Sequence, residues 1–192
     1  MVVPDKKRLL YISWLTLFGM SAMGILLIYF VQKQDVEIVL AGRKSYYTQV
    51  LSGLFFGSLA SLLGVILIRG KHFKGVRSFL EDMIGDMNPS LTQIIVYAGC
   101  LSVGEEMLFR AGIQPIINIW PAAFLFVLLH GYINPANLNL TIYGFFLVLI
   151  GAGLGYLFRY LGLFSAITAH FVYDVTMFCV LKYAYQRRAV IR

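Results

Sequence analysis

Charged side chains are scarce in this chain of 192 residues: 13% are Asp, Glu, Lys or Arg, against 59% hydrophobic residues and a mean hydropathy of +0.78. Water-soluble domains carry about 25% charged residues, so an aqueous surface of this size would go half uncovered. A soluble globular fold is excluded, and lipid is the solvent that remains. Cysteine is rare as well. Cys100 and Cys179 lie in separate apolar stretches, match no metal or redox spacing, and read as buried thiols. The net charge of +7 does not point to nucleic acid, because the basic residues flank apolar blocks instead of forming a patch. A cleavable signal peptide is not indicated either. Lys6, Lys7 and Arg8 precede an apolar run, Leu9–Val31, that has spanning length. With no repeat, no low-complexity tract and no second domain, the chain reads as one integral membrane domain, 1–192.

The fold class expected is an all-α polytopic membrane helical bundle of about six transmembrane helices. Leu9–Val31 and Ser45–Ile68 are the first two spans, and a charged segment follows from Arg69 to about Asn88. Pro89 and Ser90 open a third helix from Leu91 toward Gly112. The region from Ala111 to Phe158 has no formal charge and room for two helices, divided at Asn134-Pro135-Ala136-Asn137. A last span covers about Leu161–Leu181, so the motif-bearing core is about 91–181, and a basic tail runs from Lys182 to Arg192. Lys6, Lys7, Arg8, Arg69, Lys71, Lys74, Arg77, Lys182, Arg187, Arg188 and Arg192 would share one side. Lys33, Arg43 and Lys44 would lie on the other, with Arg110 and Arg159 near helix ends. That bias puts both termini in the cytoplasm.

Several features read as architecture. Phe73, Val76, Phe79, Leu80, Met83, Ile84 and Met87 make the segment Lys71–Met87 amphipathic, lying on the inner leaflet or packed on the bundle. Gly151-xxx-Gly155 reads as a close helix contact. Asn118, Asn134, Asn137 and Asn139 read as caps and turn formers. Tyr11, Trp14, Tyr46, Tyr47 and Trp120 read as interfacial anchors, and His72 as a solvated or interfacial side chain.

Ionisable residues inside spans carry the chemistry, since each costs at least about 2.5–3.5 kcal/mol at a helix centre. Glu105, Glu106, Arg110, His130, His170 and Asp174 gather in the last half of the chain, whereas the first two spans contain none. Glu106 and Arg110 share a helix face, so they can pair, either as a structural ion pair or as direct participants. Glu105 points about 100° away and is free for other work. His170 and Asp174 also share a face. If Gln114, Trp120 and Leu161 mark one membrane surface, Glu105, His130 and His170 lie about 14, 15 and 14 Å below it.

A carboxylate facing two imidazoles in a desolvated cavity can activate water, bind a metal, or relay protons. Spacing alone leaves these open, although the chain lacks the His-Glu-x-x-His pair of ordinary zinc proteases. The metal alternative would use Glu105, His130 and His170 with zinc. A transporter would be expected to show inverted repeats or broken helices in matching halves, and none is evident.

Glu105-Glu106-Met-Leu-Phe-Arg110 resembles the Glu-Glu-x-x-x-Arg motif of the CAAX prenyl protease and bacteriocin-processing family, also called the Abi family. Phe126-Val-Leu-Leu-His130 is similar to its Phe-x-x-x-His motif, and His170-Phe-Val-Tyr-Asp174 to its His-x-x-x-Asn or -Asp motif. The resemblance implies a glutamic-type intramembrane endopeptidase with no cofactor. Its substrate would be a membrane-anchored or lipidated protein cut near a terminus. Glu105 and His130 would activate water, His170 and residue 174 would stabilise the oxyanion, and Glu106, Arg110 and Phe126 would support them. Many proteolytic relatives carry Asn where this chain has Asp174, which donates a hydrogen bond only when protonated and otherwise would orient His170. The short chain favours bacterial processing or sorting roles in the cytoplasmic membrane over prenyl processing. The rival within the resemblance is a non-catalytic immunity or scaffold protein.

Overall fold

The computed structural model describes residues 6–191; the outermost residues, Arg192 of the charge bias among them, lie outside the described residues. Every regular element among the described residues is helical. Helix α1 covers residues 6–32 and contains wide π-type turns at Thr16–Met20 and Leu27–Gln32. Short α2, Val36–Ala41, leads to α3, Tyr46–Arg69, whose first turn is capped by Ser45 accepting from the Thr48 amide. A tight turn, Lys71–Phe73, precedes α4, Lys74–Met87. Helix α5 occupies residues 91–117, built from Leu91–Glu106, a π-type stretch Met107–Ile113 and a last turn Gln114–Ile117. Helices α6, Ile119–Leu129, α7, Leu138–Tyr160, and α8, Leu163–Ile191, complete the bundle.

Local signals explain the boundaries. Asn88 adopts the left-handed conformation that ends α4, and Pro89 follows it. Ser90 and Gln93 then form a reciprocal capping box, at 3.2 and 2.8 Å, that starts α5. Asn137 caps α7 through the Leu140 amide, and Asn134 folds the preceding loop by accepting from Ala136 and bonding Thr141. Asn118 forms the α5–α6 turn at φ +72°. Asn139 departs from expectation: it lies inside the first turn of α7 and caps nothing.

Among the described residues, four stretches are long and apolar enough to cross a bilayer: Arg8–Gln32, Tyr46–Arg69, Leu138–Tyr160 and Leu163–Arg188. The chain is an integral membrane protein. Helix α5 has the length but carries Glu105, Glu106 and Arg110 in its second half. Helix α6 differs from a full span. Its 11 residues rise about 16 Å, roughly half of a 30 Å hydrocarbon layer.

The long helices close around α8. On α3, a Cβ at Gly57 would fall 2.6 Å from the Ala169 carbonyl oxygen, so only glycine admits α8 this closely. That contact sets the depth of His170, the next residue. The expected small-residue seam on α7 also exists, since a Cβ at Gly155 would fall 2.5 Å from the Gln114 side chain of α5. The amphipathic segment packs on the bundle: Phe73, Val76, Leu80, Ile84 and Met87 join Ile68, Met177 and Leu181 in one buried cluster. The basic tail is no loose appendage. It extends α8, where Lys182 donates to the Pro89 carbonyl at 2.6 Å and Arg188 meets Ser78, Glu81 and Asp82 of α4.

Candidate active site

The three ionisable-bearing segments converge. Glu105 Oε1 lies 3.7 Å from His130 Nε2, and Glu105 Oε2 lies 3.8 Å from His170 Nε2. Asp174 Oδ2 stands 3.6 Å from the same His170 nitrogen. These separations exceed a direct hydrogen bond and suit a bridging water. Gln114 lines a pocket at one end of the bundle together with Ile119 and Gly162, the sequence neighbours of Trp120 and Leu161.

Glu106 does more than its spacing suggests. It is fully buried and accepts Arg110 Nε at Oε2, 3.1 Å, while its Oε1 accepts His170 Nδ1 at 2.9 Å. The π-type turns begin directly after it. Arg110 lies within that stretch, four residues after Glu106 and on the same face. Such wide turns recur at functional sites. The imidazole partner of Asp174 by spacing is therefore oriented by a carboxylate 64 residues away. Asp174 instead approaches the ring from its cavity side.

Two ring protons are fixed by their acceptors. His130 Nδ1 sits 2.7 Å from the Phe126 carbonyl, which only accepts, so Nδ1 carries a proton. The ion-paired Glu106 carboxylate holds a proton on His170 Nδ1 in the same way. Both Nε2 atoms are left facing Glu105. Phe126 is the hub of this arrangement: its ring lies 4.3 Å from His130, 5.9 Å from His170 and 4.9 Å from Phe109, and Arg110 stacks over it at 5.7 Å.

The site opens into a cavity of about 250 Å³ between α3, α4, α7 and α8. Its walls are mainly apolar, including Leu80 and Ile84 from α4, Leu147 from α7 and Met177 from α8. Three tyrosines missed by sequence reasoning, Tyr132, Tyr143 and Tyr173, add hydroxyls to the wall, with Tyr143 and Tyr173 sharing a hydrogen bond of 3.3 Å. Nothing in an apolar-rich sequence marks which aromatics face inward. Among the described residues, no group of three or more His, Cys, Asp or Glu side chains is arranged to hold a metal ion.

Fold and site together define a membrane-embedded helical bundle with a carboxylate and two imidazoles at the head of an apolar cavity. Residues 87–176 match the family described as Type II CAAX prenyl endopeptidase Rce1-like, a stretch that includes all three motifs. That match accords with the resemblance of the three motifs to the CAAX prenyl protease and bacteriocin-processing family. The chain is also 32% identical over 101 residues to the uncharacterized protein YpbD of Bacillus subtilis (strain 168), covering 52% of this chain and 51% of that protein. It thus spans about half the length of that curated relative. No solved structure matches the chain significantly.

Proposed function

We propose that this protein is an intramembrane endopeptidase that hydrolyses a peptide bond of a membrane-anchored or lipidated protein by metal-free water activation. The observation that carries the reading is the placement of Glu105, each of whose carboxylate oxygens faces an imidazole Nε2 at the head of the apolar cavity. A water bridging Glu105 and His130 Nε2 is held at two points. Glu105 takes a proton from it as the water oxygen bonds to the scissile carbonyl carbon. The carbonyl electrons move onto oxygen, and an imidazolium at His170 donates to that oxyanion from Nε2. Glu106 at Nδ1, with Glu105 and Asp174 beside Nε2, supplies the counter-charge. Collapse of the intermediate breaks the C–N bond, and the proton held by Glu105 passes to the departing amine.

The cavity lining has Glu105 and Asp174 but neither lysine nor arginine, and Arg110 is engaged by Glu106. A free substrate carboxylate meets no lysine or arginine there, and the His170 imidazolium is already balanced by Glu105, Glu106 and Asp174, which favours an internal peptide bond over the terminal one. In this reading both termini lie in the cytoplasm and the cavity receives substrate from the α4 side.

The test is Glu105→Gln in the native host, followed by comparison of membrane and lipidated proteins. One or more of these should accumulate unprocessed, and wild-type protein purified in detergent should cleave it. Loss of the base is expected to slow that cleavage by at least about 10²–10⁴. A Glu105→Gln protein that cleaves at the wild-type rate would overturn the assignment.

A further inference from the structure

A second pocket, of about 410 Å³, lies at the end of the bundle away from α4. Gln34, Arg43, Asn118 and Arg159 provide its polar rim, and Ile38 and Phe158 are among its apolar walls. Neither arginine side chain has a protein partner among the described residues. Asp35 and Glu37 stand on the same segment as Gln34 but do not line the pocket. Lys33 and Lys44 flank that segment, so its charge is net positive.

The rim is held in place by backbone. The amides of Arg43 and Lys44 donate to the Leu161 carbonyl at 2.8 and 3.0 Å, tying the α2–α3 turn to the α7–α8 turn. Gly42, at φ +72°, and Gly162, at φ +140°, form this junction. Asn118 borders the pocket at φ +72° and ψ 172°, a conformation nearly reserved for glycine. Three turns in unusual conformations therefore fix one rim.

Its level in the membrane follows from the spans. α1 ends at Gln32, α3 starts at Tyr46, α7 ends at Tyr160 and α8 starts at Leu163, all beside the pocket. Exposed Tyr46, Tyr47, Trp120 and Tyr160 stand at the same level as interfacial aromatics do. Two unpaired guanidinium groups beside an apolar wall, at the depth of lipid headgroups, match a phosphodiester anion with a glycerol and acyl chain attached. We propose that this pocket binds the phosphate of an anionic phospholipid headgroup, in the leaflet away from α4.

The test uses the full chain in neutral detergent, with retention in native mass spectrometry and thermal unfolding as readouts. Probes are phosphatidylglycerol, phosphatidylcholine and inorganic phosphate at matched ionic strength. Phosphatidylglycerol should be retained and raise the unfolding temperature, and the other two should not. R43A/R159A should weaken phosphatidylglycerol binding about tenfold or more, R43K/R159K less, and R69A/K71A at the other end not at all. Should R43A/R159A fail to fold, R159Q alone should weaken binding about threefold, about half the double effect in free-energy terms. Wild-type binding by whichever of R43A/R159A or R159Q is measured overturns the proposal. So does an equal shift with inorganic phosphate, which would make this a free-phosphate site, or an equal loss in R69A/K71A, which would make the effect general surface charge.

Discussion

Replacing Glu106 by Gln separates two duties of one side chain. The carboxylate balances Arg110, whose guanidinium is fully buried and whose two terminal nitrogens have no hydrogen-bond partner among the described residues. Removing one member of a buried ion pair costs about 3–5 kcal/mol, because the other charge stays desolvated. Glu106 also accepts from His170 Nδ1, a charge-assisted bond contributing about 1.5–3 kcal/mol. Glu106→Gln should lower thermal stability in detergent and abolish cleavage. Adding Arg110→Met removes the stranded charge, and neutralising both members of a buried pair is often nearly neutral. Stability should therefore return in the double variant. Cleavage should not return, because His170 still lacks its anionic acceptor. The assay is thermal unfolding alongside cleavage of the substrate found through Glu105→Gln. Recovery of cleavage together with stability would show that the Glu106–His170 bond is not needed, and the proposed orientation of His170 would fail.

Exhaustive chelation should leave cleavage by the purified protein unchanged; loss of activity with rescue by zinc would instead assign Glu105, His130 and His170 as metal ligands. Asp174→Asn places an amide donor beside His170 Nε2 and should keep cleavage within about tenfold, whereas Asp174→Ala should lose more, as kcat measured on the same substrate will report. Reporters fused after Arg192 and within residues 71–87 should both lie in the cytoplasm, and opposite answers would mean an odd number of crossings between them.

The helical class and the meeting of Glu105 with both histidines were legible because a charge inside an apolar run stands out in one dimension. Helix rise then converts position into depth. The capping signals at Ser90 and Asn137 were legible for a similar reason, since they act within a few residues. The Glu106–His170 bond was not legible. Spacing presented Arg110 and Asp174 as the obvious neighbours, and only the Gly57 contact between α3 and α8, together with the widened turns after Glu106, sets the true partner. The tyrosines of the cavity were hidden in the same way. Gln49 was too: it is fully buried in α3, bonds the Ala41 and Lys44 carbonyls, and accepts from the Phe164 amide. Local chemistry offers no sign that a lone glutamine ties two distant turns together.

Helix α6 stops at Leu129, partway through the hydrocarbon, and residues 130–137 continue without regular structure. Irregular backbone at such depth is tolerated only where protein encloses it or water reaches it. His130, Gly131, Ala136 and Asn137 are exposed, so protein does not enclose this loop. Water reaching this loop would form a local dent in the membrane, an aqueous inlet that ends beside Glu105. The proposed hydrolysis needs both an oily seat for an anchored substrate and a steady supply of water. A half-length helix delivers the second without opening a leak across the bilayer.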